Sequence, residues 1–134
     1  MTFSARHKVV VAAIIERDGD FLLHQRPPGS WGAGQWEFPG GKLEATEPPE
    51  EAVKRECREE LGVEVQVGRI DEVIHHTYDD HGSLLILFYR AKIVSGEPRA
   101  LLGGAIDFAA GKELLEYDWL PADWPLVERL AEEG

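Results

Sequence analysis

Hydrophobic positions in this chain come in short runs separated by polar, glycine and proline breaks, a pattern that predicts strands with a few interspersed helices. Lys8–Glu16 is rich in Val and Ile, Asp18-Gly19-Asp20 is a turn, and Phe21–Arg26 reads as the return strand of a hairpin. Pro27 to Gly34 is a Pro/Gly-rich loop leading to a short strand around Gln35–Phe38, and Pro39-Gly40-Gly41 reads as a second break. Further on, Val63–Ile70, Glu72–Thr77, Leu84–Val94 and Ala105–Ala109 read as strands, with a turn at Ser95-Gly96. Lys112–Tyr117 and, after Pro125, Leu126–Glu132 read as helical. Strands with helices at separated places predict an α/β or α+β sandwich.

The strongest helix signal is Pro49–Leu61. Proline suits a first turn, where its missing N–H would be unpaired anyway, and Gly62 stands where a left-handed C-terminal cap belongs. At 100° per residue, Val53, Cys57 and Leu61 form a stripe that should face a core. Glu56, Glu59 and Glu60, at i, i+3 and i+4, converge on the neighbouring face. Like charges at these spacings weaken a helix by a few tenths of a kcal/mol per pair (about 0.2–0.5). Two readings are open: a solvated acidic face relieved by Lys54, Arg55 and Arg58, or a site for a hard cation. Carboxylates without His or Cys partners suit an oxygen-coordinated ion such as Mg²⁺, and the preceding Gly-Gly turn lets backbone approach a ligand closely.

Composition narrows the class. A chain of 134 residues is one ordinary domain, 1–134, without repeats or linker-like tracts. Its apolar runs are too short to span a bilayer, no signal peptide is apparent, and one cysteine precludes an internal disulfide; a reducing cytoplasm is the expected compartment. Fourteen basic against twenty-five acidic residues give a net charge of −11, which disfavours nucleic acid polymers and anionic membranes as partners. A small anionic substrate remains compatible if a metal supplies local positive charge.

Gly41 to Val63 (GKLEATEPPEEAVKRECREELGV) resembles the Nudix box, G-x5-E-x7-R-E-(aliphatic)-x-E-E-x-G-(aliphatic). Gly41, Glu47, Arg55, Glu56, Glu59, Glu60, Gly62 and Val63 fill their positions without a gap, and Cys57 takes one aliphatic place. The resemblance implies a Nudix-type α/β/α sandwich with a mixed central sheet. It also implies that Glu56, Glu59 and Glu60, with the Gly40 carbonyl, bind Mg²⁺, for which Mn²⁺ can substitute. Arg55 would pair with Glu47 and orient the carboxylates, the alternative being a surface pair with Glu51. Gly41, Glu47 and Gly62 are then structural parts of the motif, Glu56, Glu59 and Arg55 the catalytic ones, with Glu56 the proposed general base. Such enzymes cleave a nucleoside diphosphate linked to a group X by attack of water on phosphorus.

Trp36-Glu37-Phe38-Pro39-Gly40-Gly41-Lys42 resembles the MutT-type branch, which converts nucleoside triphosphates to monophosphate and pyrophosphate, in some cases acting on oxidised or non-standard nucleotides. Pro121-Ala122-Asp123 resembles that branch too, with Asp123 as reader of the base or as a helix N-cap. Phe38 is either a wall for the base or a core aromatic. Arg26 and Lys42 are expected at the phosphates, and Trp31 and Trp36 flank a loop near the base. His75 and His76 read as strand residues and His81 as the histidine placed to contact nucleotide. Relatives often carry another metal-binding Glu in the region of Leu101–Gly104, where this chain has none; Glu97 and Asp107 are the nearest acids. Tyr78 keeps dinucleoside polyphosphates, or another nucleoside-diphosphate-X compound, as the alternative substrate class. A non-catalytic nucleotide-sensing module is the alternative of another kind. The oligomeric state, monomer or homodimer, is open.

Overall fold

In the computed structural model, residues 7–79 and 82–133 are described. Strands β1 (His7–Arg17) and β2 (Asp20–Gln25) form the expected hairpin, turning through Asp18 and Gly19, both at positive φ. Short strands β3 (Trp36–Glu37) and β4 (Gly40–Lys42) follow, then helix α1 (Pro49–Leu61). Strands β5 (Glu64–Tyr78), β6 (Gly82–Ser95) and β7 (Ala105–Ala110), two 3₁₀ turns (Gly111–Glu116 and Pro121–Asp123) and helix α2 (Trp124–Glu133) complete the chain.

The sheet is mixed. β1 lies parallel to β6 from His7↔Ser83 to Ile15↔Ala91, and antiparallel to β4. β6 pairs antiparallel with β5, and β2 pairs antiparallel with both β3 and β7. Because β1 is covered on both faces, its side chains are apolar at successive positions. Val11, Ala13 and Ile15 meet Ala52, Val53, Cys57 and Leu61 of α1. Ala12 and Ile14 share the opposite core with Phe88, Trp119 and Leu126, Val127 and Leu130 of α2. Helices on both faces give the α/β/α sandwich that the resemblance implied.

Three local expectations change. Pro39-Gly40-Gly41 does not simply break the chain: Gly40 and Gly41 enter β4. A Cβ on Gly40 would stand 2.0 Å from the Val11 carbonyl oxygen, so only glycine lets β4 lie this close to β1. The strands expected at Val63–Ile70 and Glu72–Thr77 are one long strand, β5, with register irregularities between Val67 and Ile70 and between Ile70 and Glu72. Bulges absorb the extra residues that looked like a boundary. The segment around Lys112–Tyr117 is a 3₁₀ turn, its six residues too few for a stable α-helix.

α1 keeps its expected bounds. Proline occupies its first position, and Gly62 at φ 71° donates its N–H to the Arg58 carbonyl at 3.0 Å, closing the left-handed cap. No helix among the described residues is long and apolar enough to cross a membrane.

Candidate active site

The acidic face of α1 is set against β4. Glu60 is buried, and its Oε1 accepts the Gly40 amide at 2.9 Å. The Glu56 carboxylate lies against Gly41, where an added Cβ would come within 2.6 Å of Cδ and of both oxygens. The two glycines therefore let two helix carboxylates reach the strand. Glu59 stands apart, its side chain 53 % exposed.

Arg55 organises this face. Its Nε and Nη2 donate to Glu47 at 2.7 and 3.0 Å, a two-pronged pair that fixes the guanidinium plane. Its Nη1 donates to Glu56 at 2.8 Å and to Glu59 at 3.3 Å, and its Nη2 to the Lys42 carbonyl at 3.1 Å. Glu51 pairs instead with Lys54. The Arg55 bond holds the Glu47 carboxyl below its usual range, whereas burial raises that of Glu56 despite the same arginine. Glu60 is pushed up to about 8, first by burial and then by the negative charges of Glu37 and Glu56.

Among the described residues, no three acidic, His or Cys side chains are gathered about one point. The donor chemistry nevertheless fits a hard divalent cation. Only oxygen ligands are offered, and ionising the buried Glu60 beside two other acids calls for a positive charge. The Glu56 carboxylate fills the space that a Gly41 side chain would take, so it and Glu60 reach the same strand.

Beyond the Gly40-Gly41 wall opens a cavity of about 290 Å³. Arg26, Phe38, Lys42 and Asp123 all line it, together with Trp31, Glu37 and Tyr78. Asp123 is only 5 % exposed and reaches this position because β3 binds the chain on both sides of Trp119. The Trp36 amide donates to the Asp118 carbonyl and the Leu120 amide to the Trp36 carbonyl. The Ala122 amide donates to the Tyr78 hydroxyl at 2.9 Å, which pins the 3₁₀ turn. Burial, then the charge of Glu37, raises the Asp123 carboxyl well above its usual value, although the Phe38 amide donates to it.

Phe38 serves as core and as cavity wall at once: it stacks on Trp119 at 4.8 Å and meets Phe88 edge-on. Arg26 is already engaged, with Nε on the Trp31 carbonyl at 2.9 Å and Nη1 on Glu37 at 3.4 Å. Trp36 packs edge-on to Tyr117, and His75 and His76 lie in β5. His81 lies outside the described residues.

Neither acid considered for the Leu101–Gly104 region serves the site. Glu97 pairs with Arg17 on the surface, and Asp107 accepts the Tyr117 hydroxyl at 2.6 Å. The segment instead docks through its backbone, the Leu101 amide donating to the Glu60 carbonyl at 3.0 Å. The acid from outside α1 whose charge acts on Glu60 is Glu37, which has no assigned role in the Trp36–Lys42 motif. The available signal was an acid between Trp36 and Phe38 in a strand with one buried face.

The family model described as the NUDIX domain matches residues 5–133. The chain is 44 % identical over 120 residues to the CTP pyrophosphohydrolase of Escherichia coli K12, covering 89 % of this chain and 87 % of that protein. It is 36 % identical over 125 residues to a putative 8-oxo-dGTP diphosphatase 2 of Mycobacterium tuberculosis, covering 93 % and 89 %. Among solved structures, a MutT protein from Methanosarcina mazei Go1 superimposes with a TM-score of 0.86 at 23 % identity, covering 98 % of each chain, a likeness of fold.

Proposed function

The chain belongs to the NUDIX family and is a pyrophosphohydrolase; from that premise we propose that it hydrolyses nucleoside or deoxynucleoside triphosphates to the monophosphate and pyrophosphate, with Mg²⁺ as its metal and Mn²⁺ as a substitute. The observation that carries this reading is one cavity whose lining combines an acidic floor, the buried Asp123 and the part-buried Glu37, with a rim at Gly40–Lys42, the strand that Glu56 and Glu60 stand against. A base fits against Phe38 and the floor, and a polyphosphate along the rim.

Nudix hydrolases use divalent metal ions. In this reading Glu56, Glu59 and Glu60 hold the ion, with the Gly40 carbonyl beside them. When bound, the ion supplies neutralisation of phosphate oxygens and acidification of a water. The rest is done by the chain. Arg55, clamped by Glu47, keeps Glu56 and Glu59 on one face and fixes where their oxygens stand. Glu56, half-buried and less acidic than usual, takes the proton of the attacking water. Lys42 at the rim meets phosphate charge, and the Phe38 wall keeps the base in an apolar slot. Asp123 and Glu37 accept hydrogen bonds from exocyclic amines or ring N–H groups, which suits cytosine or a guanine derivative, each with an exocyclic amine that uracil lacks.

The test is a pyrophosphate-release screen with Mg²⁺ or Mn²⁺ over CTP, dCTP, UTP, 8-oxo-dGTP, ADP-ribose and dinucleoside polyphosphates. Pyrophosphate from a triphosphate, and a rate lower by orders of magnitude in Glu60→Gln with the melting temperature kept, is the expected result. Preferential cleavage of ADP-ribose or a dinucleoside polyphosphate would move the protein to another substrate class. Calorimetric nucleotide binding without any turnover would make it a sensor.

A further inference from the structure

Buried in β2 is a polar side chain that the reading above does not use. His24 is only 3 % exposed and sits among the fully buried Leu22 and Leu23. It lies directly across from Glu37 in the β2–β3 register. Its Nε2 is 3.3 Å from the Gly103 carbonyl oxygen, and its Nδ1 faces Glu37 Oε2 at 3.5 Å without forming a hydrogen bond of good geometry. A buried ring nitrogen with no better partner among the described residues is an arrangement that core packing alone does not call for. His24 does not line the cavity, whereas Glu37 does.

We propose that His24 is a positioning residue for Glu37, holding the Glu37 carboxylate in the orientation that discriminates the base. This rests on the assignment of the cavity floor to a nucleobase. Oε2 of Glu37 is approached from two sides, by His24 Nδ1 at 3.5 Å and by Arg26 Nη1 at 3.4 Å. Each contact is long, but together they stop the carboxylate from swinging, because a turn that relieves one lengthens the other. Arg26 alone makes a poor anchor: its long side chain is shared with the Trp31 carbonyl, and its contact with Glu37 is long at 3.4 Å. The imidazole, by contrast, is rigid and walled in by the core. Its far side is fixed by the Gly103 carbonyl, in a segment that also binds the Glu60 carbonyl through Leu101. The ring presents Nε2 to the Gly103 carbonyl and Nδ1 to Glu37, so His24 spans that segment and the carboxylate as a strut. Loss of the strut should loosen recognition and leave the phosphate end in place.

The experiment is a double-mutant cycle on the full chain with His24→Leu, His24→Gln and Glu37→Gln. Its readouts are kcat and KM for UTP and for whichever of CTP and 8-oxo-dGTP is turned over faster, and melting temperature is followed in parallel. Glu37→Gln is expected to cut the preference over UTP by about tenfold or more, the scale of one recognition contact. His24→Leu should cut it comparably, with the loss falling on KM more than on kcat. In the Glu37→Gln background His24→Leu should change the preference no further, since both act through one group. His24→Gln, which keeps a donor, should retain more of the preference than His24→Leu. A preference changed by Glu37→Gln but untouched by His24→Leu, or fully additive effects in the double variant, would overturn the strut while leaving the base assignment standing. If Glu37→Gln leaves the preference unchanged, or none of these triphosphates is hydrolysed, the base assignment fails and the strut falls with it.

Discussion

Replacing Gly41 by alanine separates the working geometry of the acidic helix from its contribution to stability. The new Cβ would lie 2.6 Å from the Glu56 carboxylate carbon and from both its oxygens. Ordinary contact begins near 3.4 Å, so the carboxylate must retreat by about 0.8 Å. That movement is cheap for the fold, because the atoms displaced are the end of a side chain. Gly41 is moreover outside the set of glycines at positive φ. Alanine in a strand also forfeits less conformational entropy than glycine, a gain of roughly 0.5–1 kcal/mol. Catalysis has no such tolerance: a shift on the order of 1 Å at a reacting group costs about 10²-fold in rate, or about 2.7 kcal/mol of transition-state stabilisation. Gly41→Ala should therefore melt at or slightly above the parent temperature while losing about 100-fold in kcat/KM and about 10- to 100-fold in affinity for Mg²⁺. Differential scanning calorimetry, a coupled pyrophosphate assay and an Mg²⁺ titration measure the three quantities. Gly40→Ala provides the contrast, because its Cβ would meet the Val11 carbonyl at 2.0 Å and the Ala12 Cα at 2.7 Å, backbone that cannot step aside. That variant should lose the fold. Parental kcat/KM and Mg²⁺ affinity in Gly41→Ala would refute the idea that the position of Glu56 matters to the reaction.

Arg55→Lys keeps the charge but cannot form the two-pronged pair with Glu47 while also reaching Glu56 and the Lys42 carbonyl. It should lower kcat at least about tenfold with a stability loss of only about 1 kcal/mol, and parental kcat would show that the arginine orients nothing. Asp71 binds Arg90 at 3.0 Å, Arg129 at 2.9 Å and Arg69 at 2.8 Å, joining α2 to β5 and β6. Burial alone would raise its carboxyl, but Arg129 and Arg90 outweigh that and hold it below the usual value. The stabilisation is therefore complete above the unfolded-state pKa of about 3.9 and lost as pH falls through the lower folded value. Asp71→Asn should lower the unfolding free energy measured by urea titration at pH 7 by on the order of 1–2 kcal/mol, given partners that are partly exposed. The gap should close in strong acid, and a gap of the same size there would argue against a charge effect. Cys57 is buried and its thiol is pushed up to about 12, mainly by burial. It should resist thiol reagents at pH 8 in the native protein and react at once in denaturant, and fast native labelling would mean that α1 opens locally.

Most of the local structure was legible in the sequence because local rules set it. The bounds of α1 follow from a proline that needs no N–H partner and a glycine that can turn left-handed. The stripe of Val53, Cys57 and Leu61 follows from helical periodicity, and the spacing from Gly41 to Val63 carried the family. The strand at Gly40–Lys42 was not legible. A Gly-Gly pair reads as a break until β1 is placed alongside it, after which the missing side chains are what allow close pairing. The same holds for the register irregularities of β5 on either side of Ile70, which only the partner strand β6 reveals. At the site, sequence spacing grouped Glu56, Glu59 and Glu60 by helical angle alone. Their environments differ because β4 buries Glu60 and abuts Glu56, while Glu59 stays half exposed with Arg55 beside it. The meeting of Asp123 with Glu37, 86 positions apart in the chain, depends on the backbone pairing of Trp36 with Asp118 and Leu120. Sequence was enough to nominate residues for the chemistry, since residue type and short-range spacing are local properties. Tertiary structure decided which of them are desolvated and which share one cavity, because burial and long-range contact exist only once distant strands are paired.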